Sequence, residues 1–432
     1  MTSVTPAETP FQKIHYGWIV AGATFLSGLI MAGAVGAPGI FIIPLQQEFG
    51  WSTSDISAAL AIRFFLFGIM APFAAALMNK YGVRRIVLIA QSIVAISLVT
   101  SLWMTSLWQL LLLWGIGVGV GTGMTALVLG ATVATRWFVA RRGFVVGVLT
   151  ASVATGQLIF LPLLTTLAVD YGWRVALIAV CAAVGCAALV MLLVMRDRPS
   201  DVGLLPYGHQ GLPPPAPPRA SGSVTAAAFG ALRDAARTRA FWILFGTFFI
   251  CGASTNGLIQ THFIPMCVDF GLSQTKAAGL LAAIGVFDFV GTIASGWLAD
   301  RYDNRWLLFW YYGLRGLSLL FLPFTDFTFF GLSVFAVFYG LDWIATVPPT
   351  VRLTAQKFGA ERANLVFGWI FAGHQIGAAL AAFAAGFSRT MLATYLPAFF
   401  AAGALCIVAA VIVLMIDGRQ RSSTGLAPSS AS

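Results

Sequence analysis

Ionisable side chains stand inside apolar runs at several points of this 432-residue chain. Asp288 sits between Phe287 and Phe289, Arg315 follows Gly313-Leu314, and Asp342 follows Gly340-Leu341. Arg63 is the strong cation of the first-half runs, and Gln157, Asn256, Gln260, His262, His374 and Gln375 add polar or titratable groups. An ionisable group in a hydrocarbon layer is costly unless paired or wet, so each needs a reason. A carboxylate or imidazole there can carry a proton, and a guanidinium can grip a carboxylate through two parallel bonds. Asp288 lies 12 residues before Asp300, about 18 Å along a helix. Gly285, Asp288, Thr292, Ser295 and Ala299 form one small and polar stripe on that helix, the kind that lines a cavity. Asp288 is therefore expected to carry a proton or to contact a bound molecule, with His374 as a second proton carrier. Arg63 is expected to meet a bound carboxylate. Arg315 is expected to pair structurally with Asp342 or Asp288.

These side chains need apolar elements to hold them. The chain is 59% hydrophobic and 9% charged, outside the range of a soluble globular protein. Its continuous apolar runs predict twelve membrane helices, near 16–43, 54–78, 84–103, 107–134, 143–168, 173–195, 240–266, 274–299, 305–323, 327–351, 363–388 and 392–416. A β-barrel would require alternation instead. The first run is too long for a cleaved leader and is expected to remain as the first helix. Of 25 Lys and Arg, 19 fall in the N-terminus, the even-numbered loops and the tail. The positive-inside rule then places both termini in the cytoplasm, and the net charge of +10 reports topology, not nucleic-acid binding. Five cysteines lack metal-ligand spacing and read as packing thiols.

The sequence repeats itself at a constant offset of 221 residues. Glu48-Phe49-Gly50-x-Ser52 returns as Asp269-Phe270-Gly271-x-Ser273, and Asn79-Lys80-Tyr81 as Asp300-Arg301-Tyr302. Two similar bundles facing one another across a cavity follow from such a duplication. The expected division is a six-helix bundle over 1–195, a proline-rich cytoplasmic linker over 196–239, a second bundle over 240–416, and a disordered cytoplasmic tail over 417–432. Gly115, Gly117, Gly119, Gly121 and Gly123 resemble a dinucleotide loop but have no preceding strand, so they read as faces for close helix approach.

Two motifs carry a family resemblance. Ala75-x-x-x-Asn79-Lys80-x-Gly82-x-Arg84-Arg85 and Gly296-x-x-x-Asp300-Arg301-x-x-x-Arg305 resemble the cytoplasmic gate motif of the major facilitator superfamily. Tyr16-Gly17-Trp18 and Trp137-Phe138-x-x-Arg141-Arg142-Gly143 resemble its monocarboxylate transporter and oxalate–formate antiporter branch. The resemblance implies an all-α membrane protein of twelve helices in two pseudo-symmetric bundles, with a gate at Asn79, Lys80, Arg84, Asp300, Arg301 and Arg305. It also implies a secondary transporter moving a small organic anion across the inner membrane by alternating access, with protons as partner. The branch's eukaryotic members carry an Asp and an Arg four residues apart in helix eight. Here Asp288 fits the acid, but Thr292 stands at the arginine position. That departure leaves a larger aromatic or amphipathic compound as the alternative substrate. No phosphate-binding G-x-x-x-x-G-K-[ST] loop, paired catalytic acids or metal set is found, so neither an enzyme nor a cofactor is expected. A monomer in the lipid bilayer with a small-molecule substrate completes the reading.

Overall fold

The computed structural model describes residues 15–36, 38–209 and 223–417. Twelve membrane helices follow in order. The first, α1, is built of Tyr16–Gly36 and Pro38–Phe49, and α2 is Thr53–Tyr81. Next come α3 (Val83–Ser101), α4 (Leu107–Leu110 through Ala126–Trp137), α5 (Arg142–Tyr171) and α6 (Trp173–Val194). A linker helix, Val224–Ala235, precedes α7 (Arg239–Gly252 through Gln260–Asp269) and α8 (Gln274–Ala299). The last four are α9 (Asn304–Phe321), α10 (Phe329–Asp342 then Val347–Phe358), α11 (Ala360–Leu392) and α12 (Leu396–Val413). Among the described residues nine spans are long and apolar enough to cross a bilayer, and three shorter apolar helices supply the rest. The proline-rich stretch 210–222 and the tail 418–432 lie outside the described residues.

Sequence sets these elements locally. In α6, Trp173, Ala176, Leu177, Val180, Val184, Ala187 and Met191 are buried at helical spacing. Its opposite face exposes Ile178, Leu189, Leu192 and Leu193, which are equally apolar. A helix apolar all round faces protein on one side and lipid on the other. The repeated acid-Phe-Gly-x-Ser motif is a turn device. Gly50 and Gly271 end their helices at positive φ, and Ser52 and Ser273 accept from Asp55 N and Lys276 N to cap the next ones. The glycine run of α4 serves two neighbours: Gly115, Gly119 and Gly123 lie against α2, while Gly117 and Gly121 lie against α3.

Between lipid-soluble helices, association rests on close fit and polar bonds more than on burial from water. At the end carrying the α1–α2 and α7–α8 turns, the two halves share one core. Ile40, Phe41 and Leu45 of α1 join Ile259, Phe263 and Ile264 of α7 and Ile284 of α8 there. Gln274 Nε2 donates to Ile40 O at 2.9 Å, and Ser54 N donates to Thr390 Oγ1 at 3.1 Å. At the opposite, terminal end, where α1 begins and α12 ends, the buried cores are separate. One runs from Val20 through Trp137 to Met195, the other from Ala235 through Ile370 to Ile416. The seam of α2 and α11 continues there, where Phe73, Trp369 and the linker's Phe229 form an aromatic triangle.

Candidate functional site

Among the described residues α4, α7 and α10 depart from regular helical geometry, and α4 and α10 do so at repeat-related places. α7 is π-helical over Ala253–Ile259. α10 is interrupted between Asp342 and Val347; the 221-residue offset carries that gap onto Thr122–Thr125, where α4 is interrupted after Gly123. Irregular backbone at membrane depth is tolerated only where protein buries it or a cavity receives it. The paired interruptions of α4 and α10 and the π-helical stretch of α7 mark the level at which the described backbone leaves the regular helix.

On the second-half side of that level lies a buried polar cluster. Arg315, fully buried on α9, donates from Nε to Asp342 Oδ2 at 2.9 Å and from Nη1 to Cys251 Sγ at 2.9 Å. Its Nη2 donates to the carbonyls of Asp342 and Trp343. Asp288 Oδ1 accepts from Thr292 Oγ1 at 3.0 Å and from the backbone N–H of Ile344 at 2.8 Å. Ser295 Oγ donates to Ala345 O at 2.5 Å. The stripe identified on α8 thus faces the gap in α10, while Phe289, Val290 and Ile293 are exposed on its other side.

The remaining polar residues lie along the contact of α2, α7 and α11. Arg63 is 3% exposed, with its guanidinium 5.0 Å from the centre of the Phe64 ring. Its backbone abuts Gly119 of α4, and Phe64 meets Ala378, Ala379 and Ala382 of α11. One to two turns along, Phe67 meets Phe371 at 5.9 Å. Phe371 stacks on His374, which also touches Phe248 of α7 at 4.7 Å. His374 Nδ1 and Gln375 Oε1 are buried without a protein hydrogen-bond partner. His262 is bonded through Nε2 to Ala382 O at 2.8 Å, tying α7 to α11. Regular spacing would set His262 apart from Asn256 and Gln260; the π-helical stretch alters that register, and Asn256 O accepts from Thr261 Oγ1 at 2.8 Å. Gln260 is buried beside them. The side chains of Gln157 and Asn79 lie outside the described residues.

The gate motifs occupy the terminal end. Asp300 pairs with Arg352 of α10, within the second half. Arg301 stacks over Trp297 at 4.1 Å, and Lys80 lies 5.4 Å from the Tyr81 ring. Arg84 and Arg305 do matching work: Arg84 Nη2 donates to Leu192 O near the end of α6, and Arg305 Nη1 to Ile416 O beyond α12. Where the second copy has Asp303 the first has Gly82, and sequence reasoning overlooked the acid that serves there. Asp197, just past α6, accepts from Arg84 N at 2.8 Å and fills the space above Gly82, whose φ is +91°. In the second copy the acid is local: Asp303 accepts from Arg305 N at 2.9 Å. The position of Asp197 directly after an apolar run was the available signal.

With this geometry established, relatives can be compared. The profile of the Major Facilitator Superfamily matches residues 24–382 and 263–430, and the chain belongs to that family. It is similar to an uncharacterized MFS-type transporter, YcxA, of Bacillus subtilis (strain 168), 23% identical over 88% of this chain and 90% of that one. It is also similar to monocarboxylate transporter 13 of Rattus norvegicus, 27% identical over 93% of this chain and 89% of that one. Among solved structures, a point mutant of the nucleoside transporter NupG superposes with a TM-score of 0.74 at 12% identity, covering 92% of this chain and 99% of that one. The protein is a multi-pass membrane transporter of the major facilitator fold, with twelve helices in two pseudo-symmetric bundles.

Proposed function

We propose that the chain moves a small organic anion, of monocarboxylate type, by proton-coupled alternating access. The observation that carries the reading is Arg63: a buried guanidinium on α2, the helix that runs along the other half. Such a group suits a planar carboxylate arriving between the halves. The similarity to monocarboxylate transporter 13 supports the same class. Asn256, Gln260, His374, Gln375, His262 and Gln157 are proposed as further substrate-side groups, and Asp288 and His374 as proton carriers. The shared core at one end and separate cores at the other support this reading, as the arrangement expected at one extreme of a rocking cycle. In this proposal residues 1–195 and 240–416 are the rocking bodies, joined by 196–239, with 417–432 as a tail. Asn79, Lys80, Arg84, Asp300, Arg301 and Arg305 control the terminal end. The protein works as a monomer in an inner membrane with both termini in the cytoplasm.

A larger aromatic or amphipathic substrate is the second reading, favoured by the row Phe67, Phe371, His374 and Phe248 and by Thr292. Thermal unfolding of the purified protein against a panel of mono- and dicarboxylates and neutral aromatic compounds separates the two, since a ligand of the folded state raises its apparent stability. The anion reading expects stabilisation by carboxylates that Arg63→Ala removes. Stabilisation by neutral aromatics alone contradicts it.

A further inference from the structure

The gap in α10 is followed at once by two prolines. Val347 precedes Pro348 and Pro349, which carry no N–H and cannot serve the carbonyls four residues earlier. Other bonds take their place. Trp343 N and Val347 N turn inward to Gly340 O and Ile344 O at 3.1 and 2.8 Å, as three-residue steps. The carbonyls of Asp342 and Trp343 are taken by the guanidinium of Arg315. Ala345 O, the partner that Pro349 would have served, receives Ser295 Oγ. The N–H of Ile344 is received by Asp288. These side-chain substitutes all come from α8 or α9, and the α8 and α10 backbones are held close enough to make them. A Cβ on Gly291 would fall 1.9 Å from Leu341 O, and one on Gly340 would fall 2.7 Å from Ile284 O. The repeat-related gap in α4 is served locally among the described residues: Thr125 N and Thr125 Oγ1 both turn to Thr122 O.

We infer that Arg315, Asp288 and Ser295 are positioning residues that clamp the open turn Trp343–Thr346, making it a hinge of α10 set by its neighbours. The inference rests on the transport reading for its consequence, though not for its geometry. In the transport cycle the clamp determines the angle between the two segments of α10, so these residues govern turnover through α10 without touching substrate. Asp288 then has a role separable from carrying a proton: its oxygen is an acceptor for Ile344.

Hydrogen–deuterium exchange on the full-length protein in nanodiscs, without substrate, tests the clamp. Asp288→Ala and Ser295→Ala are expected to speed exchange over Trp343–Val347 by about tenfold or more. Asp288→Asn keeps an acceptor oxygen and is expected to match the parent protein. Ser295→Ala changes no charge, so it serves where Asp288→Ala fails to fold. Counterflow of a labelled carboxylate supplies the functional half. The maximal rate is expected to fall about tenfold in Ser295→Ala with KM unchanged. Exchange unaltered in both alanine variants, or altered equally in Asp288→Asn, overturns the inference; so does a raised KM at unchanged rate, which marks a substrate contact. Absence of carboxylate counterflow in the parent protein counts against the anion reading alone, because the exchange pattern is measured without substrate.

Discussion

Single residues carry the chemistry, and their surroundings set how each can be tested. Arg63 is buried on the helix that meets the other half, so its proposed partner is a carboxylate held by a two-bond fork. Arg63→Lys keeps the charge and loses the fork, and is expected to reduce carboxylate uptake by about tenfold or more, as Arg63→Ala does. Uptake normalised to protein in the membrane checks it; a lysine variant with full activity would show that charge alone suffices. At the terminal end, hydrogen bonds from Arg305 hold the carboxyl of Asp303 below the ordinary carboxylate range. A lowered value in the folded state means that Asp303 stabilises the protein at neutral pH. That contribution disappears as pH falls through the lowered value. Asp303→Ala is expected to cost about 1 kcal/mol as a lost helix cap, measured by thermal unfolding at pH 7, with the difference from the parent vanishing in strong acid. The polar residues themselves were legible in the sequence, because charge in an apolar run is conspicuous. Their partners were less so. Asp197 serves Arg84 as Asp303 serves Arg305, from 113 residues beyond, and only its place after an apolar run signals it.

At the scale of elements, the prolines and glycines decide where helices break and how closely they approach. Continuous apolar character predicts one helix over 327–351, yet α10 divides before Val347 and continues to Phe358. The cause was visible as Pro348-Pro349, but hydropathy does not register a missing donor. The first helix likewise runs beyond 43, to Phe49, because the turn motif around Gly50 ends it and not the last apolar residue. The Arg315–Asp342 contact lies wholly inside the second half, where neither group can be rescued by water. Removing one partner of a buried pair leaves the other uncompensated, so Arg315→Ala is expected to cost about 3–5 kcal/mol. Exchanging the two charges, Arg315→Asp with Asp342→Arg, is expected to recover more folded protein than either single reversal. Size-exclusion yield and unfolding temperature report both effects, and equal losses in single and double variants would mean that the surrounding bonds to α10 matter more than the pair.

For the whole molecule, the duplication was readable from one constant offset, and it extends to features that no residue identity advertises. Interruptions of α4 and α10 coincide under the same 221-residue shift. Symmetry is broken in what holds them: α10 is clamped by its own half, while α4 satisfies its turn locally among the described residues. The conformation was not legible in sequence, since apolar pattern identifies buried faces without saying which end of the two halves is joined. That distinction comes from one shared core at the α1–α2 end and two separate ones at the terminal end. The central claim is that an anion crosses between these halves together with a proton. Its most direct measurement is uptake of labelled monocarboxylates into proteoliposomes of the purified protein under an imposed proton gradient. The account predicts accumulation driven by an inward gradient, competed by unlabelled carboxylates, lost with Arg63→Ala, and no longer responsive to the gradient in Asp288→Asn. Carboxylate uptake indifferent to the proton gradient, or movement of neutral aromatic compounds with no carboxylate uptake at all, would contradict it.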